Sequence, residues 1–129
     1  MMSQEQVNSL CDKNKMIYCI DIDGTLFTYP EMKPNKKLID YLKERHKKGH
    51  YILLFTGRAS KFKEETMKLL NNGEVPYNEV VFDKPKAHIY IDDNTVDIED
   101  YMKDMKGYDK KFQEIGNNIN KHIRQGNGI

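Results

Sequence analysis

Four short apolar runs, each delivering an acid or a hydroxyl at its end, restrict most what this chain can fold into. MIYCI at 16–20, YILLF at 51–55, EVVF at 79–82 and HIYI at 88–91 have strand length and strand composition. Between the first two, residues 35–48 place Leu38, Ile39 and Leu42 on one helical face, and Gly49 ends the pattern. Between the second and third, Ser60 is the expected N-cap of a helix with apolar positions Phe62, Met67, Leu69 and Leu70, stopped by Gly73. Alternation of strand and helix predicts an α/β fold: a doubly wound parallel sheet joined by right-handed crossovers and covered on both faces. The unbroken apolar character of ILLF and IYI fits that two-sided burial.

Beyond the fourth run, Val96, Ile98, Tyr101, Met102 and Met105 predict a helix ending near Gly107. Tyr108, Phe112, Ile115, Ile119 and Ile123 then recur at helical spacing, which predicts an amphipathic C-terminal helix over 108–129 with frayed last residues 125–129. Its apolar stripe reads as core packing. With 129 residues the chain has the size of one domain, with residues 1–15 as a polar extension. Basic and acidic residues nearly balance, 21 against 20, so no polyanionic partner is advertised and nucleic acid is an unprompted though open possibility. No apolar run approaches the ~18 residues of a spanning helix, and the N-terminus is polar, so a soluble cytoplasmic protein with no membrane partner is expected. Cys11 and Cys19 lack metal-site spacing. Both read as reduced, and Cys19, inside an apolar run, as buried.

In an open parallel α/β sheet, ligands bind beyond the carboxyl ends of the strands, so residues just after each run converge. The first run leads into Asp21-Ile22-Asp23-Gly24-Thr25, the second into Thr56-Gly57-Arg58, the third into Asp83-Lys84-Pro85-Lys86 and the fourth into Asp92-Asp93-Asn94. Crowded carboxylates need a neutralising cation, and a hard divalent ion such as Mg2+ suits oxygen ligands while leaving positions for a substrate phosphate. A lysine and the Thr56 hydroxyl would contact the remaining phosphoryl oxygens. Asp21 and Asp23 answer two chemical needs: one carboxylate to accept the phosphoryl group, another to protonate the leaving oxygen and then activate water. Spacing by two on extended chain sends both to similar sides, and Gly24 permits a sharp departure from the strand.

DIDGTL, FTGR, a lysine and IDDN, in that order, resemble the haloacid dehalogenase-like superfamily over residues 16–96, most of the chain. Asp23 resembles the acid/base of its phosphatase branch. The resemblance implies a Rossmann-like three-layer α/β/α core, with the fourth strand beside the first. It implies Asp21 as nucleophile and metal ligand, and Asp23 as acid/base and as metal ligand through its backbone carbonyl. Thr56, with Gly57 and Arg58, would bind phosphate, Lys84 would pair with nucleophile and phosphate, and Asp92, supported by Asp93, would bind the metal. Lys86 remains a rival to Lys84, which stands only eight residues before Asp92. The compact KP-to-IDD stretch resembles small members associated with capsular polysaccharide genes. Residues 26–34 offer a short flap and 73–79 a loop, so no cap domain is expected and the site should be open. Tyr29, Pro30, Arg58 and Tyr77 are then the candidate specificity elements, with Arg58 equally readable as the partner of a surface acid.

The expected function is a Mg2+-dependent phosphomonoesterase, a hydrolase acting on a small-molecule phosphate ester, and on the resemblance a sugar phosphate or polysaccharide precursor. Alternatives are a nucleotide or nucleic-acid end phosphatase, a receiver-type phospho-acceptor and a non-catalytic binding module. The receiver order of motifs is the reverse of that here, and a degenerate module would have lost Asp21 or Asp23. His46, His50, His88 and His122 show no paired ligand spacing, and the acids from Asp97 to Asp104 read as a solvated helix face. A homo-oligomer formed through the C-terminal helix would compensate for a missing cap.

Overall fold

The computed structural model describes residues 2–124, with side chains through Glu114. They form two compact units, one of Ile17–Ile89 and one of Met2–Met16 with the chain from Tyr90 onward.

The first unit holds β1 (Ile17–Ile20), α2 (Lys36–Lys47), β2 (Tyr51–Phe55), a 3-10 turn (Ser60–Phe62), α3 (Lys63–Asn72) and β3 (Glu79–Val81); α1 (Gln4–Asp12) precedes them in the second unit. The three strands make a parallel sheet in the order β1-β2-β3, with Tyr18 opposite Ile52, Ile20 opposite Leu54 and Leu54 opposite Val80. One sheet face carries Tyr18, Ile52 and Leu54 into a core shared with Leu38, Ile39 and Leu42 of α2 and Leu70 of α3, all buried. The helix forms because its apolar residues share one face, Asn35 caps its first turn by accepting from the Leu38 N–H at 3.3 Å, and Arg45, His46 and Lys47 favour the negative end of its dipole. The α/β, Rossmann-like fold class read from the sequence is therefore the one observed.

Three expectations change between Ile17 and Ile91. Residues 88–91 form no strand: Ile89, Tyr90 and Ile91 are exposed, Ile91 at 93%. Their β-prone composition finds no ladder among the described residues, since the sheet runs β1-β2-β3 with no strand paired on the outer side of β1. Cys19 is exposed rather than buried, because it lies opposite Leu53 on the less covered sheet face. Ser60 opens the 3-10 turn instead of capping α3, which starts after Phe62 without a side-chain cap. Gly73 does end α3.

In the second unit the polar N-terminal stretch contains α1, held by a capping box in which Ser3 and Gln6 satisfy each other's backbone N–H groups. α4 (Ile98–Lys103) is capped by Asp97, whose carboxylate accepts from the Glu99 N–H at 3.1 Å. α5 (Met105–Arg124) begins earlier than the sequence pattern suggests. Gly107 lies inside its first turn, because the Asp104 carboxylate accepts the Gly107 N–H at 3.0 Å and starts a new helix there. Tyr108 stacks on Phe112, and the Tyr101 hydroxyl donates to the buried Asp109 at 2.6 Å, tying α4 to α5. The side chains of Ile115, Ile119 and Ile123, and residues 125–129, lie outside the described set. Among the described residues no helix is long and apolar enough to cross a membrane.

Candidate active site

The end of β1 is shaped by a buried anchor, Ile22, flanked by two acids. Its carbonyl accepts the N–H groups of Leu26 and Phe27 at 3.1 and 3.2 Å, folding the chain into a tight turn that lifts Asp21 and Asp23 out of the core. Gly24, with φ +84°, donates its N–H to the Phe27 carbonyl at 2.7 Å, a left-handed position that favours glycine. Residues 26–34 continue as a short flap, closed by the Thr28 N–H on the Lys33 carbonyl at 2.8 Å and by the Asn35 N–H on the Leu26 carbonyl at 2.7 Å. Tyr29, followed by a cis peptide to Pro30, is exposed on it.

Backbone bonds continue past the ends of β2 and β3 and hold the second and third loops together. The Thr56 N–H donates to Val81, the Lys84 N–H to Thr56 and the Asp83 N–H to Arg58, each at 2.9 Å. Asp83 takes φ +60° to make this approach. Thr56 is fully buried, and its Oγ1 accepts the Arg58 N–H at 3.1 Å. A Cβ at Gly57 would meet only the Lys84 carbonyl oxygen, at 3.9 Å, so space alone does not demand glycine there.

Two electrostatic contacts organise the charged groups. Arg58 forks onto Asp23, with Nε to Oδ2 at 2.9 Å and Nη2 to Oδ1 at 2.8 Å. Arg58 thus pairs with Asp23, an acid of the candidate site itself. Asp21 is half-buried, and loss of hydration pushes its carboxyl above the usual range; the Lys84 ammonium and the Ile22 N–H oppose that rise, and Asp23 adds to it. Lys84 also lies over the Phe55 ring, its Nζ 5.6 Å from the centroid. Between the two candidate lysines, Lys84 is the one whose charge acts on Asp21, while Lys86 is exposed.

Asp92 and Asp93 belong to the second unit. Asp92 is exposed, and the Asp93 N–H, donated to its Oδ1 at 2.7 Å, holds its carboxyl below the usual range. Among the described residues, no three His, Cys, Asp or Glu side chains come together as a metal-binding group. Thr66 was not singled out from the sequence, yet it is buried on α3 and accepts from Arg58 Nη1 at 3.2 Å. Its signal was positional: it falls four residues before Leu70, on the same buried face of the helix.

A parallel sheet with acids gathered at a strand end, joined by crossovers and covered by helices, defines a Rossmann-like α/β domain. The chain belongs to the haloacid dehalogenase-like hydrolase family, whose model matches residues 18–123. It is similar to the crystal structure of an MCSG target from Vibrio cholerae, at 25% identity over 77% of this chain and 97% of that one, with a TM-score of 0.62. No curated protein matches the chain.

Proposed function

We propose that this hydrolase is a Mg2+-dependent phosphomonoesterase working through an aspartyl-phosphate, with residues 1–129 as one catalytic domain. The observation that carries the reading is Asp21, a half-buried carboxylate at the end of β1 under the field of Lys84 and next to Asp23. A nucleophile stripped of part of its hydration is costly to ionise, and a cation nearby offsets that cost. In the first half-reaction an Asp21 oxygen attacks phosphorus, the ester P–O bond breaks, and Asp23 gives its proton to the departing oxygen. In the second, Asp23 takes a proton from water, whose oxygen attacks the same phosphorus, releasing inorganic phosphate and restoring Asp21. Thr56 and Lys84 would bind and orient the phosphoryl group.

Magnesium fits this chemistry, since the Asp21 carboxylate and the Asp23 backbone carbonyl are hard oxygen donors, and a cation would offset the loss of hydration that disfavours the ionised Asp21. Bound there, the ion would neutralise charge on the phosphoryl oxygens. The metal roles of Asp92 and Asp93 enter on family resemblance alone. If the site has no cap domain, the exposed Tyr29 on its flap favours a sugar phosphate or polysaccharide precursor, whose ring a tyrosine can stack against. Phosphate release from p-nitrophenyl phosphate, sugar phosphates and nucleotides tests the reading. Turnover that needs Mg2+ and is lost in Asp21→Asn supports it, a preference for nucleotides redirects the substrate assignment, and no turnover by the wild type overturns it.

A further inference from the structure

Arg58 is bound from three directions. Its fork holds both oxygens of Asp23, at 2.9 and 2.8 Å. Its Nη1 donates to Thr66 Oγ1 at 3.2 Å, and that hydroxyl in turn donates to the Phe62 carbonyl at 2.9 Å. Its backbone is fixed too, the N–H on Thr56 Oγ1 and the carbonyl under the Asp83 N–H. Because Thr66 is fully buried, the guanidinium is braced from α3 while its other edge grips the carboxylate. An ordinary surface ion pair has neither the two-point geometry nor a buried brace.

We infer that Arg58 is a positioning residue for Asp23, braced by Thr66: it fixes the orientation from which that carboxyl group serves the leaving oxygen and then water. The inference rests on the acid/base role proposed for Asp23. A lysine cannot replace the fork, because one ammonium cannot span two carboxylate oxygens in a fixed plane.

The experiment compares kcat/KM for an alkyl phosphate, whose departing oxygen needs a proton, with that for p-nitrophenyl phosphate, whose departing oxygen needs little help. The proteins are the wild type, Arg58→Lys, Thr66→Val, Asp23→Asn and the Arg58→Lys/Asp23→Asn double variant. General acid catalysis is worth about 10²–10⁴-fold, so Arg58→Lys is expected to lower the alkyl ester at least ~10-fold more than the aryl ester. Thr66→Val should shift the same ratio in the same direction by less. In the Asp23→Asn background, Arg58→Lys should add little. Equal losses on both esters, or losses that multiply in the double variant, would mean that Arg58 grips the phosphoryl group itself and would overturn the inference. A gain on the alkyl ester would overturn it as well. Should Arg58→Lys lose its fold by circular dichroism, Thr66→Val decides, since it keeps the fork and removes only the brace. A wild type inert on both esters would overturn the phosphatase reading along with this one, whereas an active wild type with equal losses overturns this one alone.

Discussion

Replacing Gly73 with alanine should destabilise the first unit and loosen the turn that carries Asp23. Gly73 closes α3 at φ −82° and ψ 0°, a conformation open to any residue, so backbone freedom is not why glycine stands there. A Cβ would lie 2.9 Å from Cζ and 3.2 Å from Cε1 of Phe27. That ring is 2% exposed, so its packed surroundings resist its moving aside, and the Phe27 carbonyl is the acceptor that holds the Gly24 turn. Overpacking of this kind costs about 1–3 kcal/mol. Alanine restores about 0.4–1 kcal/mol by restricting the unfolded chain, so a mid-range overpacking cost of about 2 kcal/mol leaves a net loss of about 1–1.6 kcal/mol. For a chain of this length that lowers Tm by about 3–8 °C. Thermal unfolding of Gly73→Ala, Phe27→Leu and the double variant measures it. Leucine lacks the distal ring atoms, so the double variant should lose less than the sum of the singles, by about 1 kcal/mol. A Gly73→Ala protein as stable as the wild type, or strictly additive losses, would refute the steric reasoning.

Two further outcomes follow from the charges at the end of β1. Burial raises the Asp21 pKa in the folded state, so this group's contribution to stability is full below its unfolded pKa and is lost as pH rises through the folded value. Asp21→Asn should therefore raise Tm at neutral pH by a few degrees at most, because solvent screens a half-exposed group, and should give no gain in strong acid; equal gains at both would contradict it. Lys84 opposes the rise in the Asp21 pKa, so Lys84→Met should move the carbon-13 carboxyl titration of Asp21 to higher pH, whereas a downward shift or none would show that the lysine does not act there.

What was legible in the sequence was whatever repeats over several residues or sits beside a sharp local signal. YILLF became β2 over its full length, and the stripe of Leu38, Ile39 and Leu42 became the buried face of α2, because periodic burial writes itself directly into residue order. Placement of Asp21, Asp23 and Thr56 at strand ends followed from the same runs. Residues 88–91 misled because β-prone composition does not itself bring a neighbouring strand, and the described sheet ends at β1. Gly107 resembled a stop because glycine commonly ends helices, whereas here the Asp104 carboxylate starts one three residues earlier. Thr66 stayed hidden since a threonine within a helix announces nothing until the arginine that it braces is folded against it.

The central claim is that Asp21 carries the phosphoryl group during turnover. Rapid acid quench of the protein with a phosphate ester and Mg2+, followed by peptide mass spectrometry, should find one added phosphoryl group on Asp21, none in Asp21→Asn, and more in Asp23→Asn if its second step is slowed. Turnover by the wild type with no phosphorylated Asp21 at any quench time, or with the phosphoryl group on another residue, would contradict the account.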